Sequence, residues 1–471
     1  MKLLLINPPR DFSISSEVPE KVNSETNTIP PLGLMYLEAY LHAHSDHEVR
    51  IIDCLAERWH IEQLRGIIES EAPQAVGITG HTHDLLDMLQ VTRLAKEISP
   101  DIVTIWGGPH ASDFPVQCMG YPEVDICIPR EGEIALCETM DALEKHSDLS
   151  ALPGVYSRAT DGTLQFGGVR PPIADLDILP PPRREILDIR KYSYVLGGEA
   201  TSTTLMTSRG CPYKCTFCNT PGHNTWRWRS AGPVVDEIES IANLGINDIY
   251  IIDDTFNVRQ QRTLDICQGI IDRKIKINWN FRARVNLITA EMVEACRKAG
   301  CNRVHVGVET GTDEGMAAIN KALTTKQVRD GLRLLKKAKM TTVCYFMVGC
   351  PHEKTRADIM RTIDFALELD PDYALFGVLT PYPNTAVYDE GVRRGILDPN
   401  NWDNFLRNPS RDFHPQVWTE FFTAQELAQF SEMAFKRFYI RPKQMWRKLM
   451  ELHSWKDFGR KLKAGWEIFK L

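Results

Sequence analysis

No stretch of this sequence stays apolar for the ~18 residues that a membrane-spanning helix needs, which argues against an integral membrane protein. A formal net charge of −7 over 471 residues leaves no global basic field, so a dedicated nucleic-acid binder is not expected. The opening MKLLLINPPR is apolar for too few residues to be a signal peptide, and Pro8 and Pro9 end the run. A cytoplasmic, reducing location is therefore expected. A disulfide framework is missing too, because twelve cysteines are too sparse for a chain of this length. Nine of them (Cys54, Cys118, Cys127, Cys137, Cys267, Cys296, Cys301, Cys344 and Cys350) are scattered, mostly in apolar segments, and read as small core residues. Also absent is a G-x-G-x-x-G turn after the first strand, which makes a dinucleotide site a poor reading.

What is present is alternation. Hydrophobic content of 43% and charged content of 25% suit an ordinary globular chain, and its length implies two or three domains. Over residues 1–150, the short apolar runs KLLLIN, VRIID, AVGIT, IVTIWG and VDICI alternate with helical patterns at Leu34–His42, Ile61–Ser70, Leu85–Ile98 and Ile134–Leu143. This pattern predicts an α/β, doubly wound domain of Rossmann or flavodoxin type, with ligands at the carboxyl ends of the strands. Residues 151–200 hold a hairpin turning at Asp161–Gly162, then the linker-like prolines Pro180, Pro181 and Pro182. From 201 to 400 the alternation returns as six βα units, with Thr289 and Thr325 at helix N-cap positions. Six units predict a partial (β/α)6 TIM-like barrel whose chemistry lies at the carboxyl ends of its strands. Residues 401–471 predict a helical C-terminal region. From Lys436 onward it carries eleven Lys or Arg against three acids, with Trp446, Trp455 and Trp466 interleaved. An amphipathic cap over the barrel is one reading of this tail, and peripheral contact with a membrane or a lipophilic substrate is the other.

The three remaining cysteines are clustered. SRGCPYKCTFCNT sets Cys211, Cys215 and Cys218 at C-x3-C-x2-C directly after a predicted barrel strand. Thiolates suit iron–sulfur chemistry, and three ligands on a four-iron cube leave one iron open for a small molecule. A zinc knuckle completed by His223 is the competing use of the same thiols, but structural zinc sites usually use two short Cys/His pairs.

The spacing, together with Phe217 before the last cysteine, resembles the signature of the radical S-adenosylmethionine superfamily, over roughly residues 200–400. The resemblance implies a [4Fe–4S] cluster on Cys211, Cys215 and Cys218, with S-adenosylmethionine chelated to the open iron and cleaved to a 5′-deoxyadenosyl radical. It further implies contacts to S-adenosylmethionine from Phe217, from Asp253 and Asp254 in IIDDTF, and from Arg284 and Glu309 at the ends of the FRAR and GVE strands. VGCPHE and TPYPNT resemble loops that flank the adenine. The amino-terminal domain resembles the cobalamin-binding module of cobalamin-dependent members, through PPLGL with Gly33, Asp53–Cys54, GITG with Thr79 and Gly80, WGGPH with Gly107, Gly108 and Pro109, and REGE with Glu131. Many cobalamin domains supply a histidine to cobalt from the loop after the first strand. Here that loop, NPPRDFSISS, has none, so base-off cobalamin without a protein histidine is expected, with His81, His83 and His110 as polar lining.

Two reactions fit these parts. C-methylation of an unactivated carbon would use one S-adenosylmethionine to methylate cobalamin and a second to make the radical. An oxidative cyclisation, as in the anaerobic magnesium-protoporphyrin monomethyl ester cyclase-like branch that the FYIRPKQMWRKL tail resembles, would need no methyl transfer. A non-catalytic cobalamin sensor or carrier is the third reading, although a sensor has no use for an open iron. The expected partners are a small-molecule or lipophilic substrate and an electron donor such as flavodoxin or ferredoxin.

Overall fold

The computed structural model describes residues 1–14, 28–159, 161–194, 201–219 and 225–450. The chain divides into two compact units. The first holds residues 1–14, 28–192 and Asn400–His414, and the second holds 193–399 and the residues from 415 onward.

In the first unit, the runs identified as strands form one sheet. β1 (Lys2–Asn7), β2 (Glu48–Asp53), β3 (Ala75–Thr79), β4 (Val103–Gly107) and β5 (Ile126–Ile128) are parallel, in the order β2-β1-β3-β4-β5. This is the flavodoxin order, with the switch point between β1 and β3. Leu3, Leu4, Leu5 and Ile6 are all sealed from solvent, as expected for a strand covered on both faces. The hairpin also forms, as β6 (Tyr156–Arg158) and β7 (Leu164–Phe166). It does more than the sequence suggested, adding antiparallel to β5 and extending the sheet to seven strands. Asp53, at the carboxyl end of β2, accepts from the Leu55 and Ala56 amides, from Asn7 Nδ2 and from the Tyr192 hydroxyl. Its role here is to fix the turn after the strand.

The chain does change unit at residue 400, but the segment that follows is not the start of a separate tail. Asn400–His414 folds onto the first unit, where the Tyr121 hydroxyl donates to the Leu406 carbonyl and the Arg411 guanidinium lies 3.8 Å from the Phe12 ring centre.

The second unit holds a wholly parallel six-stranded sheet built in chain order. Its strands are β8 (Ser202–Leu205), β11 (Asp248–Ile251), β12 (Asn278–Ala283), β13 (Cys301–Glu309), β14 (Thr341–Val348) and β15 (Tyr373–Val378). The short strands β9 (Ser208–Arg209) and β10 (Arg227–Trp228) pair with each other just after β8. Side chains alternate along the long strands. Ile249, Ile251, Trp279, Phe281, Val304, Val306 and Phe346 lie on one face and are buried. The opposite face is polar, with Tyr250, Asn280, Arg282, Arg303, His305 and Tyr345. Thr289 caps its helix by accepting from the Met292 amide, as expected. The next cap is Thr324 rather than Thr325, because a reciprocal box with Gln327 starts that helix one residue earlier.

The helix Ala424–Tyr439 covers the outer face of β15. The Ser431 hydroxyl donates to the Phe376 carbonyl at 2.8 Å, and Phe435 meets Phe376 edge-on. In the following helix (Pro442–Met450), Trp446 is exposed. Part of the tail's basic charge is used internally, since Arg441, Lys443 and Arg447 all pair with Asp370. Trp455 and Trp466 lie outside the described residues, and no helix among those described is long and apolar enough to cross a membrane.

Candidate active site

The cysteine loop leaves β9 at the carboxyl end of β8. Cys211, Cys215 and Cys218 are each partly accessible, whereas the nine scattered cysteines are buried as expected. Burial shows in their chemistry. The Cys54 thiol is pushed up to about 12, first by desolvation and then by the neighbouring Asp53 charge, so it stays protonated and inert.

Backbone hydrogen bonds hold the loop at three places. The Thr216 amide donates to the Ile319 carbonyl at 3.0 Å, the Val387 amide donates to the Thr216 carbonyl at 3.0 Å, and Asn320 Nδ2 donates to the Lys214 carbonyl at 2.7 Å. Phe217 packs onto a buried cluster of Ile319, Cys350, Leu379, Val387 and Trp418, which anchors the loop between its last two thiols. Cys211 Sγ lies 3.5 Å from Thr255 Oγ1. Among the described residues, no three His, Cys, Asp or Glu side chains are grouped to hold a single metal ion. A cube spreads its three thiolates over three irons, and the donor set fits that group. His223, the proposed fourth zinc ligand, lies outside the described residues.

The polar residues expected to meet S-adenosylmethionine divide into buried and exposed ones. Asp253 is buried and fully used, accepting from the Thr207 amide at 2.6 Å, from Thr207 Oγ1 at 2.5 Å and from Ser208 Oγ at 2.6 Å. It shapes the entry to the cysteine loop. Asp254, one residue on, is exposed. The Arg284 guanidinium lies 3.5 Å from the Tyr213 ring centre, inside the cysteine loop, and donates to the Lys321 and Ala322 carbonyls. Asn257 holds the Arg284 backbone through both its amide and its carbonyl.

Glu309 ends β13 with a left-handed φ of 73°, next to a register shift against β14. Its Oε1 lies 2.8 Å from Lys321 Nζ in a pair that is almost buried. Gly307 makes room for the pair, because a Cβ there would sit 2.4 Å from Glu309 Oε1 and 3.0 Å from Lys321 Nζ. Lys321 Nζ also lies 5.7 Å from the Phe217 ring centre. Sequence reasoning missed Lys321, Tyr213, Thr255 and Asn257. Each is an ordinary residue in a helix-flanking or loop position, and only the fold brings it to the cysteines.

The two later loops are braced from within. In VGCPHE, Glu353 accepts from the Gly349 and Cys350 amides at 2.7 and 3.0 Å and from Thr362 Oγ1 at 3.0 Å. Burial raises its carboxyl to about 7. A raised folded-state value means that the folded state binds the extra proton, so this contribution to stability is complete below the unfolded value and fades as pH climbs through about 7. The Glu353→Gln variant is expected to show a flatter pH dependence than the parent between about pH 4.5 and 7, read by urea denaturation across that range. In TPYPNT, Thr385 caps the helix Ala386–Arg393.

In the first unit the expected cobalamin residues share one edge of the sheet. Gly33 follows β1, Thr79 and Gly80 follow β3, Gly107, Gly108 and Pro109 follow β4, and Glu131 follows β5. All lie at the carboxyl ends of the strands, flanking the switch point where flavodoxin-like sheets bind ligands. Gly33 is exposed, and a Cβ on it would meet nothing within 4 Å, so the edge is open there. Gly108 has φ +87°, and a Cβ on it would lie 2.2 Å from Thr79 Oγ1. Its glycine is thus required for the β3 and β4 loops to touch. Glu131 accepts from the Ile173 amide at 2.7 Å. His81 and His83 stack with ring centres 5.2 Å apart. His110 is wholly buried, and desolvation holds it neutral with a value of about 3. Among the described residues no side chain blocks this edge at Gly33, and the residues there fit a large flat ligand.

A flavodoxin-ordered unit followed by a six-stranded parallel unit with three thiols after its first strand defines a two-part cofactor enzyme, and the comparisons identify both parts. Residues 22–139 match the B12 binding domain, and residues 205–366 match the radical SAM superfamily. The chain belongs to the radical SAM superfamily, in its cobalamin-dependent part, and is an enzyme that uses a [4Fe–4S] cluster, S-adenosylmethionine and cobalamin. It is 32% identical to an uncharacterized methyltransferase of Pyrococcus horikoshii, over 96% of each chain. It is 28% identical to the anaerobic magnesium-protoporphyrin IX monomethyl ester cyclase of Rubrivivax gelatinosus, over 77% of this chain and 66% of the cyclase. Its fold matches the cobalamin-dependent S-adenosylmethionine radical enzyme OxsB with a TM-score of 0.75 at 18% identity, covering 99% of this chain and 72% of OxsB.

Proposed function

We propose that this enzyme transfers a methyl group from S-adenosylmethionine, by way of cobalamin, to an unactivated carbon of a small-molecule substrate. The carrying observation is the partly accessible Cys211, Cys215 and Cys218 loop at the end of β8, the one cysteine cluster the fold leaves open. When bound, the cluster supplies an electron to the sulfonium of S-adenosylmethionine, and cobalamin supplies a methyl relay. The chain's residues do the positioning. Cys211, Cys215 and Cys218 bind three irons, and Phe217 and the Ile319 and Val387 backbone contacts fix their spacing. Asp254, exposed beside the loop, is placed to meet a cationic amino group, while Asp253 keeps Thr207 and Ser208 in place. Glu309 is held by Lys321 so that its second oxygen remains for a hydroxyl donor. The carboxyl edge of the first sheet would hold cobalamin and supply it as the methyl carrier; the loop after β1 has no histidine to offer it, and His110 is sealed in the core.

Methyl transfer is favoured by the higher identity, 32% over 96% of each chain, to a relative named a methyltransferase. The cyclase relative supports oxidative ring closure as the second reading. Anaerobic incubation with methyl-labelled S-adenosylmethionine and a reductant separates the two. Label recovered on cobalamin, with S-adenosylhomocysteine released, is the expected result. Unlabelled cobalamin accompanied by accumulating 5′-deoxyadenosine would favour cyclisation. An external electron donor of flavodoxin or ferredoxin type completes the scheme.

A further inference from the structure

The polar face of the second sheet is not explained by folding alone. β11 contributes Tyr250, β12 Arg282, β13 His305 and β14 Tyr345, and the strand register sets Arg282 beside His305. Arg282 Nε donates to the Tyr250 hydroxyl at 2.7 Å, with the guanidinium carbon 5.4 Å from that ring's centre. The Tyr250 and His305 ring centres are 5.2 Å apart, and His305 Nδ1 lies 2.8 Å from the Tyr345 hydroxyl.

Two groups in this array lack a structural use. Among the described residues, the terminal nitrogens of Arg282 form no hydrogen bond or ion pair, and the side chain is exposed. His305 is 1% exposed, yet its Nε2 has no hydrogen-bond partner. A buried polar atom left bare is destabilising, and the opposite face of the same strands shows that this sequence can fill such positions with Val, Ile and Phe. Burial, then the charges of Arg303 and Arg282, keep His305 neutral, with a value of about 3. The array thus holds one exposed cation with a planar fork, oriented by the Tyr250 hydroxyl, while Tyr194 covers the rings beneath by stacking on Tyr250 at 5.3 Å.

We infer that this face is the substrate subsite and that the substrate is an anion, its carboxylate or phosphate gripped by the Arg282 fork that the Tyr250 hydroxyl orients. The inference rests on the proposed function and narrows it, since an uncharged hydrocarbon would leave the guanidinium unpaired. A guanidinium fork matches carboxylate and phosphate geometry in a way an ammonium does not. Asp254 reaches Arg282 through its charge but forms no ion pair with it, so the fork remains available.

The test is ligand-observed NMR on the reconstituted holoenzyme, with benzoate and phenyl phosphate as probes and benzamide as the neutral control. Benzamide is expected to bind roughly tenfold more weakly than the better anion, and whether that anion is benzoate or phenyl phosphate names the group. Arg282→Gln is expected to erase the preference, and Arg282→Lys to keep part of it. Tyr250→Phe keeps the ring and removes the orienting hydroxyl. It is expected to reduce the preference roughly threefold and serves if Arg282→Gln does not fold. Equal binding of benzamide by the parent, or a preference that survives Arg282→Gln and Tyr250→Phe, overturns the inference. Iron, sulfide and cobalamin measured on the same parent sample report separately on the underlying function.

Discussion

Replacing any one of Cys211, Cys215 or Cys218 by Ala is expected to reduce 5′-deoxyadenosine formation to the level of a blank without enzyme. In the proposed site each thiol would hold a different iron, so the loss of one would open a second iron and end the selective chelation of S-adenosylmethionine at a single corner. The backbone path of the loop should survive, because Ile319, Asn320 and Val387 hold it independently of the thiols. The parent's thermal transition in the iron-free state should therefore be nearly unchanged in each variant. Replacing Cys344 by Ala is the control. Its thiol is buried and pushed upward by desolvation, and the change should leave iron content intact. Liquid chromatography of deoxyadenosine after anaerobic reduction, beside iron analysis, reads both outcomes, and retained activity in the triad variants would contradict the assignment.

Lys321→Met is expected to be the most destabilising single change near the site. It removes the ammonium 2.8 Å from Glu309 Oε1 and leaves a nearly buried carboxylate without its partner. Breaking such a pair on one side costs about 3–5 kcal/mol. Urea denaturation of the variant beside the parent reads the deficit. Adding Glu309→Gln should recover much of the loss, because the double variant no longer buries an unpaired charge. If the single and double variants lose stability equally, the pair does not carry this energy.

Much of this protein is legible in its sequence because two periodicities are clean. The continuous apolar runs KLLLIN and AVGIT can only be strands covered on both faces, and RVHVGVE alternates as a strand with one polar face must. Cysteine spacing is equally local, so the loop after β8 could be located without a structure. What could not be read is nonlocal. Lys321 sits at the end of an ordinary helix–turn, and nothing in NKALT announces a partner twelve residues back at the end of β13. Asp253 and Asp254 look interchangeable in IIDDTF, yet the strand's alternation buries one against Thr207 and Ser208 and exposes the other. Gly108 is visible in WGGPH, but its positive φ and its contact with Thr79 are not. Asn400–His414 looked like the start of the tail, but its Leu406 and Arg411 contacts fold it onto the first unit.

Iron, acid-labile sulfide and zinc in the anaerobically purified protein, followed by the EPR spectrum of its reduced form with and without S-adenosylmethionine, test the central claim most directly. The account predicts about four irons and four sulfides per chain, no stoichiometric zinc, and a reduced-cluster signal that shifts when S-adenosylmethionine is added. Stoichiometric zinc without sulfide, or a cluster signal indifferent to S-adenosylmethionine, would contradict it.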